Sequence, residues 1–499
     1  MAAAPNAAAR RVTYVVGQDV TTLEPTGVSG WTDHTATLAI FGALTFNFDG
    51  GTGEVGYRPF LAERIEPKDS HMWEVRLRPG LTFHDGKRVD AEALAFSFRR
   101  VLHPEFPSKR FFHNAPIERV EVVDDLTARF HTSEPIAILP ARLLRADGYL
   151  VSPRAYRDTP PWELERTAFQ PIGAGPFAFE HHDPGERLVL RVYEGFRDPR
   201  GYPRPNFDQL ELRVIDDAGA ALEALAAGEV DIVPILADAV ASADSIEGVR
   251  TVSAPDTSRL SFEFNQRAHP ALADRRVRRA LLHAIDVDAL LEAHTGGAGV
   301  RLTTLVNPPN VDPELRPFEH DPAKARSLLA EAGWEDGFEL DIEWSTTPDR
   351  GVVASALVPY LEAVGVRVGA VRELDWSSEY LPRQIAGTLA GIHGHGHGGV
   401  EMTVETDLWP HHPARDANSM GWTGPEADRF VERYAQLQRE VDPDAQRRLG
   451  FELQRIAHDE AISIVLWQTP RYVALGPRIE RYRPYPGGHN EDFWTVGVR

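Results

Sequence analysis

The spacing of apolar residues changes along the chain between a period of two and a helical repeat. Apolar and polar positions alternate in residues 12–16 and 73–77, which predicts half-buried strands. Residues 90–101 carry their apolar positions on one helical face, and Asp90 is placed to cap the first turn. This succession of strands and helices predicts a mixed or parallel sheet covered by helices, an α/β fold.

The second half of the chain repeats this alternation with longer helices. Apolar strands are predicted at residues 260–265, 366–371, 385–392 and 462–467, and a short one at 81–83. Helices are predicted at residues 275–293, 320–332, 352–364, 425–440 and 443–459, the first being the strongest pattern in the chain. No internal repeat and no long linker interrupts these elements, so the packing units are expected to be contiguous.

The composition is that of a globular protein with more than one core. The chain has 499 residues, of which 42% are hydrophobic and 25% charged. Because hydrophobic cores stop growing at roughly 250–300 residues, two or three packing units are expected. The net charge of −21 argues against a nucleic-acid partner and against docking on anionic lipid. The absence of cysteine excludes disulfides, thiolate metal sites and thiol nucleophiles.

The first residues bear on localisation. Residues 1–11 are rich in alanine and lack the apolar core of a secretion signal, and no apolar run reaches the roughly 18 residues of a membrane span. Two interpretations follow: a cytoplasmic protein, or a protein whose signal has been removed. The Ala/Pro/Asn composition favours the second, with residues 1–10 as the disordered remnant of a tether.

Several blocks in a fixed order carry a family resemblance. They are Arg-Pro-Phe-Leu-Ala-Glu at 58–63, the segment 73–86 ending in His84-Asp85-Gly86, Pro-Ile-Gly-Ala-Gly-Pro-Phe at 171–177, and the segments 227–232, 264–286 and 321–333. Together they resemble the family 5 extracellular solute-binding proteins, the peptide- and nickel-binding receptors of ABC importers. Each block also has a purely structural interpretation, such as a turn with a glycine at positive φ for Gly86.

The resemblance implies a two-lobed periplasmic-binding-protein type II-like fold, linked by a hinge, with an extra domain in the first lobe. Lobe 1 would comprise residues 11–47, 171–257 and 471–499, the extra domain residues 48–170, and lobe 2 residues 258–470. The implied function is to capture a small polar solute between the lobes and to deliver it to the permease subunits of an ABC transporter, without catalysis. The protein is expected to be a monomer, periplasmic or extracellular, with a lipid anchor as one option.

One segment departs from the family pattern. Peptide-binding relatives carry a Trp and an Asp after the strand predicted here at 385–392, whereas this chain has His393, His395 and His397 separated by glycines, with Glu401 as the nearest acid. Alternating histidines in an extended segment point to one side, where they could ligate a metal or hydrogen-bond an organic solute. A flexible glycine loop is the alternative. No resident cofactor is expected; a metal or metal chelate would be the cargo.

Further ligand-binding candidates follow from family position, each with core packing or a solvated loop as its alternative: Trp31, His34, Trp376, Tyr380 and Asn418. His411 and His412 are expected in a solvated loop. The rival class is a metal-dependent hydrolase that uses the His393–His397 loop with Glu401. It ranks below the receptor because the chain lacks a His-Glu-x-x-His or Gly-x-Ser-x-Gly motif. A receptor that signals instead of feeding an importer has the same sequence signature.

Overall fold

The structure is a computed structural model that describes residues 10–28, 30–47, 57–69, 71–106, 116–156, 169–345, 350–394, 402–415, 418–485 and 491–499. The predicted tether therefore lies outside the described residues except for Arg10. The chain forms two compact units. Unit 1 comprises Met1–Ala254 and Arg471–Arg499, and unit 2 comprises Pro255–Pro470. The assignment of residues 48–170 to a separate extra domain stays a prediction.

The strands, in chain order, are β1 (Arg11–Val16), β2 (Thr45–Phe46), β3 (Arg58–Pro59), β4 (Ala62–Asp69), β5 (Met72–Leu77), β6 (Ile117–Val122), β7 (Thr127–Thr132), β8 (Phe177–Asp183), β9 (Arg187–Val192), β10 (Gln209–Val214), β11 (Ile232–Ile235), β12 (Arg250–Ala254), β13 (Leu260–Phe264), β14 (Val300–Arg301), β15 (Phe338–Ser345), β16 (Val366–Leu374), β17 (Ile392–Gly394), β18 (Ser463–Gln468), β19 (Arg471–Leu475), β20 (Ile479–Arg481) and β21 (Gly497–Val498).

The α-helices are α1 (Trp31–Phe41), α2 (Ala91–Leu102), α3 (Leu139–Arg142), α4 (Ala218–Ala226), α5 (Val240–Asp244), α6 (Pro270–Ala273), α7 (Arg275–Ala284), α8 (Val287–Thr295), α9 (Pro322–Glu331), α10 (Arg350–Glu362), α11 (Leu381–Ala386), α12 (Val404–Leu408), α13 (Pro425–Leu437) and α14 (Pro443–Asp459). Short 3₁₀ turns lie at Pro25–Gly27, Ala146–Gly148, Pro153–Tyr156, Ala237–Ala239, Trp409–His411 and Phe493–Thr495, and a π-helical turn at Trp376–Tyr380. No helix among the described residues is both long and apolar enough to cross a bilayer.

Unit 1 is built on a seven-stranded mixed sheet of order β12-β19-β11-β1-β10-β9-β8. Strand β1 is parallel to β10 and β11, whereas β9 runs antiparallel to both of its neighbours, β8 and β10. A four-stranded antiparallel sheet, β4-β5-β7-β6, belongs to the same unit. Its buried Trp73 and Phe130 lie in one continuous apolar cluster with Val12 and Leu212 of the larger sheet, so the two sheets share a core.

The glycines of the 171–177 block let two backbones meet. A Cβ on Gly173 would lie 2.2 Å from the carbonyl oxygen of Ile40, and one on Gly175 would lie 2.7 Å from that of Ala39. The N–H of Gly175 donates to the Ile40 carbonyl at 2.9 Å. The block therefore satisfies carbonyls at the end of α1, which gives it the structural role that the sequence offered as one interpretation. Gly86 has φ +80°, as predicted for its turn.

Unit 2 contains a six-stranded sheet of order β14-β18-β13-β17-β15-β16. Strand β15 is parallel to its neighbours β16 and β17, and β13 runs antiparallel to β17 and β18. The apolar residues of α7, α8, α9 and α10 pack against this sheet, and those of α13 and α14 form a second apolar cluster. The α/β prediction is confirmed for both units.

Three predicted elements are wrong in their details. The single helix over 275–293 is two helices, because Ile285 is extended (φ −92°, ψ 124°) and the Asp286 carboxylate accepts from Ala289 N at 3.0 Å, which caps α8. The strand over 385–392 begins only at Ile392, because α11 occupies the first residues and ends at Gly387 with φ +67°. Residues 81–83 form only an isolated bridge, from Thr82 to Arg88.

Candidate functional site

A row of polar residues crosses the sheet of unit 2. Residues that pair across neighbouring strands point to the same face of a sheet. The pairs Ser463–Glu263, Glu263–His393, His393–Glu343 and Glu343–Arg372 link β18, β13, β17, β15 and β16 in this way. The row lies near the carboxyl ends of the parallel strands β15 and β17, the end at which open α/β sheets bind ligands. It is therefore the candidate site of this unit.

Glu343 is fully compensated by the protein itself. Its buried carboxylate lies 2.7 Å from Arg372 and 2.7 Å from Arg383, and it accepts from the Ala390 N–H at 2.9 Å. A carboxylate with two guanidinium partners and a backbone donor has its charge and lone pairs satisfied. Glu343 therefore holds β15, β16 and α11 together and is not a ligand-binding group.

Glu263 lies between two imidazoles. Its Oε2 is 3.5 Å from Nδ1 of His393 and its Oε1 is 3.8 Å from Nδ1 of His411, and all three side chains are buried. The hydroxyl of Tyr380 lies 3.0 Å from the same His393 nitrogen. Burial lowers the pKa of His393, an effect that the Glu263 carboxylate and the Ser419 backbone partly oppose. His393 is therefore neutral at neutral pH.

A second ion pair adjoins the first group. The buried guanidinium of Arg259 donates to a carboxylate oxygen of Asp407 at 3.3 Å and to its carbonyl at 2.9 Å, and it lies 3.1 Å from Nε2 of His411. Asn307 donates twice to the Asp407 carboxylate, each time at 2.9 Å. Burial lowers the pKa of Arg259, whereas Asp407 and Glu263 raise it. Glu263, His393, His411, Arg259 and Asp407 are called the Glu263 cluster below.

Arg415 adds a second cation beside this cluster. Burial lowers the pKa of its guanidinium and Glu263 raises it, so the two side chains interact electrostatically. The side chain is only half-buried, and its one side-chain hydrogen bond among the described residues is to the Pro410 carbonyl at 3.3 Å. Arg415 therefore keeps N–H donors that the described residues do not use.

Three of the predicted ligand residues of unit 2, Tyr380, Trp376 and Asn418, have partners within the protein. Tyr380 is 0% exposed and its ring stacks on Trp376 with centroids 5.6 Å apart. The Asn418 amide donates to Pro413 O at 2.6 Å, and its oxygen accepts from Gly421 N at 3.1 Å, which closes a local turn. For Tyr380 and Trp376 the packing alternative matches this geometry. Their role in ligand binding and that of Asn418 stay predictions.

Trp31 and His34 lie on the first turn of α1. Trp31 is 47% exposed. The turn is tied to the segment after β1 because the Asp33 carboxylate accepts from the Thr21 N–H at 2.7 Å and from its hydroxyl at 2.6 Å. The ligand contacts assigned to both residues stay predictions.

The remaining predicted ligands, His395, His397 and Glu401, lie outside the described residues, and metal ligation by His393, His395 and His397 stays a prediction. Within the described ranges, no group of three or more His, Cys, Asp or Glu side chains is arranged to hold a metal ion.

The expectation of a solvated loop at His411 and His412 is wrong. Both are buried, at 1% and 8% exposure, because His411 meets Arg259 and His412 packs on the ring of Tyr434 with centroids 4.7 Å apart. Burial lowers the pKa of His412 to about 4. The sequence interpretation also missed Glu263, although an acid inside the apolar strand Leu260–Phe264 was a readable signal.

The sequence signature of the bacterial extracellular solute-binding proteins, family 5 (middle region), matches residues 56–410. The chain belongs to this family. It is 26% identical over 483 residues to heme-binding protein A of Haemophilus influenzae, covering 89% of this chain and 85% of the relative. It is 28% identical over 387 residues to the dipeptide-binding protein of Escherichia coli, covering 71% and 70%.

Solved structures agree on the fold. HbpA2 from Haemophilus parasuis superposes with a TM-score of 0.83 at 21% identity, over 98% of this chain and 100% of that one. NikA from Brucella suis in complex with Fe(III)-EDTA superposes with a TM-score of 0.84 at 20% identity, over 98% and 100%. Membership of the family makes the chain a solute-binding protein of the ABC-importer type and not an enzyme, and the hydrolase alternative finds no support.

Proposed function

We propose that the protein captures a small polar solute bearing a carboxylate or similar acceptor group outside the cytoplasmic membrane, and that it passes this solute, as a monomer, to the permease subunits of an ABC importer. Family membership supports the class of function. The relatives are named for heme, for a dipeptide and for glutathione, so the fold fixes no single cargo. The residues of this chain must narrow the choice.

The observation that carries the solute class is the half-buried guanidinium of Arg415 beside the Glu263 cluster. Two carboxylates and Arg259 are buried in that cluster, and such groups are costly unless they are paired. Asp407 is paired with Arg259, and Glu263 has His393 and His411 on either side. The N–H groups of Arg415 that the described residues leave unused suit a carboxylate, the acceptor that guanidinium binds bidentately.

In this proposal Glu263 is a positioning residue. Its carboxylate orients the two imidazoles and raises the pKa of Arg415, so the guanidinium stays charged in a partly dry environment. Glu263→Gln keeps the size of the side chain and removes its charge. We expect this change to weaken solute binding, whereas Glu426→Gln, at the exposed ion pair with Arg429, should leave binding unchanged.

Native mass spectrometry of the purified protein, before and after a chelator and against the denatured mass, tests the cargo. Mass that leaves with the chelator indicates a metal complex, whose chelating group would supply the carboxylates. Mass that survives the chelator indicates an organic solute and identifies it. Arg415→Gln should lose the retained mass, and the exposed, ion-paired Arg429→Gln should keep it. Equal retention by both variants would refute the Arg415 site.

If no mass is retained, thermal shift with citrate, glutathione and Ni(II)-EDTA tests the same two variants. Stabilisation that Arg415→Gln abolishes supports the proposal.

Localisation is tested by fractionating cells of the source organism. Recovery with periplasmic or lipid-anchored membrane proteins is expected, and recovery with cytosolic enzymes would refute it.

A further inference from the structure

Unit 1 contains a cavity of its own, far in sequence from the Glu263 cluster. Its volume is about 610 Å³, within the range of small-molecule sites. Its walls are the segment 20–23 that follows β1, the His84-Asp85 turn, the segment 169–172 and the hairpin of β8 and β9. All of these residues belong to unit 1.

Two opposite charges in this wall have no ion-pair partner among the described residues. Arg191 on β9 is exposed and makes no side-chain hydrogen bond within the part of the chain that the structure describes. The Asp85 carboxylate accepts from the Ser152 hydroxyl at 2.9 Å and from the backbone N–H of Lys87 at 3.0 Å. Both donors are uncharged. By contrast, His182 in the same wall pairs with Asp19 at 2.9 Å.

His84 lies in the electrostatic field of both charges. Its Nε2 lies 3.0 Å from the Gly175 carbonyl and its Nδ1 accepts from the Gly173 N–H at 3.4 Å, so both nitrogens are engaged as in a neutral ring. Burial lowers its pKa to about 4, with Arg191 lowering it further and Asp85 raising it. The ring therefore adds no charge to the cavity wall at neutral pH.

The rest of the wall is mainly apolar. Leu23, Phe169, Ile172 and Phe179 supply aliphatic and aromatic surface to the cavity. A ligand that fits must therefore carry an apolar body as well as charge. Asp85 would repel a ligand that is only an anion, and Arg191 would repel one that is only a cation. A molecule with both charges can pair with both residues.

We propose that this cavity is a second binding site, for a small zwitterion with an apolar body, whose carboxylate pairs with Arg191 and whose ammonium group pairs with Asp85. The site is independent of the proposed function because it uses residues of unit 1 alone. The bound ligand would give Arg191 and Asp85 the ion-pair partners that the described residues do not supply. Loss of either ion pair should weaken the affinity for the zwitterion by roughly tenfold.

Calorimetric titration with three matched probes tests the proposal: the dipeptide phenylalanyl-phenylalanine, its C-terminal amide and its N-acetyl derivative. The dipeptide should bind at least about tenfold more tightly than either derivative. Arg191→Gln should weaken the dipeptide and the N-acetyl form and leave the amide unchanged. Asp85→Asn should weaken the dipeptide and the amide and leave the N-acetyl form unchanged. Arg187→Gln, on the same strand but ion-paired with Asp183, is the control.

Hydrogen–deuterium exchange locates the bound probe. Protection of residues 169–172 and of the β8–β9 hairpin in the presence of the dipeptide is expected, and it should vanish in Arg191→Gln. Protection confined to residues 392–415, or binding that only Arg415→Gln removes, would show that the probe uses the Arg415 site and would overturn the second site. Absence of binding by all three probes at about 10 mM would overturn it as well.

Discussion

The Glu263 cluster and the cavity of unit 1 both contain charged residues, but they differ in how the protein treats those charges. In the cluster, Asp407 is saturated by Arg259 and Asn307, and Glu263 has imidazoles on both sides. In the cavity, Arg191 and Asp85 lie without ion pairs among the described residues.

The difference follows from solvation. A charge removed from water loses several kcal/mol of hydration, and the buried carboxylate of Asp407 offsets this loss by pairing with Arg259. A charge at a cavity wall keeps its hydration, so leaving it unpaired in the ligand-free protein costs little folding free energy. Saturated buried charges therefore indicate positioning, whereas unpaired charges at a cavity wall indicate recognition. Arg415, half-buried beside the cluster, falls between the two.

Asp407→Ala gives the largest expected effect. The substitution leaves the buried guanidinium of Arg259 without its carboxylate, and breaking a buried pair costs about 3–5 kcal/mol of unfolding free energy. Urea unfolding followed by tryptophan fluorescence measures the change. The control is Glu426→Gln, which breaks the exposed pair with Arg429 and should cost less than about 1 kcal/mol. Equal losses in the two variants would contradict the distinction between buried and exposed charges.

Gly173→Ala gives the next largest effect and tests the cavity rather than the cluster. The new methyl group would lie 2.2 Å from the Ile40 carbonyl, so the backbones of α1 and the 171–177 block must separate. We expect a loss of about 1–3 kcal/mol and, because Gly173 also bonds the ring of His84, weaker dipeptide binding.

Gly17→Ala is the matched control for that change, since a Cβ at residue 17 meets no atom within 4 Å and its φ is not positive. Its unfolding free energy should stay within about 0.5 kcal/mol of the parent. A Gly173→Ala protein as stable as Gly17→Ala would show that the close approach is not required.

The two regions also differ in what the sequence could reveal. The block 171–177 and the turn at Gly86 were readable because a close approach or a positive φ admits only glycine. The Glu263 cluster could not be predicted from the sequence, because Glu263 is more than a hundred residues away from Asp407 and His411. These residues meet through the pairing of β13 with β17 and through the helical turns over residues 404–411. The break at Ile285 was missed because the apolar pattern continues across Asp286, whose capping role overrides it.

Measured per pH unit, the smallest expected effect concerns two buried histidines, one in each region. The pKa values of His84 at the cavity and of His412 near the cluster are both lowered to about 4 by burial. Between pH 6.5 and 4 the unfolded chain therefore binds protons that the folded chain does not, so these residues make stability fall as pH falls through that window.

His84→Gln and His412→Gln should each reduce the slope of the unfolding free energy against pH. Each loses a difference of at most one bound proton, so the reduction is less than about 1.4 kcal/mol per pH unit. Because the residues lie in different units, their effects should add in the double variant. Urea midpoints measured between pH 4 and 7 give the slopes. A slope that is unchanged in His84→Gln but reduced in His412→Gln would mean that the His84 ring is hydrated in the folded protein. The cavity would then be more open to water than the contacts of His84 with Gly173 and Gly175 imply.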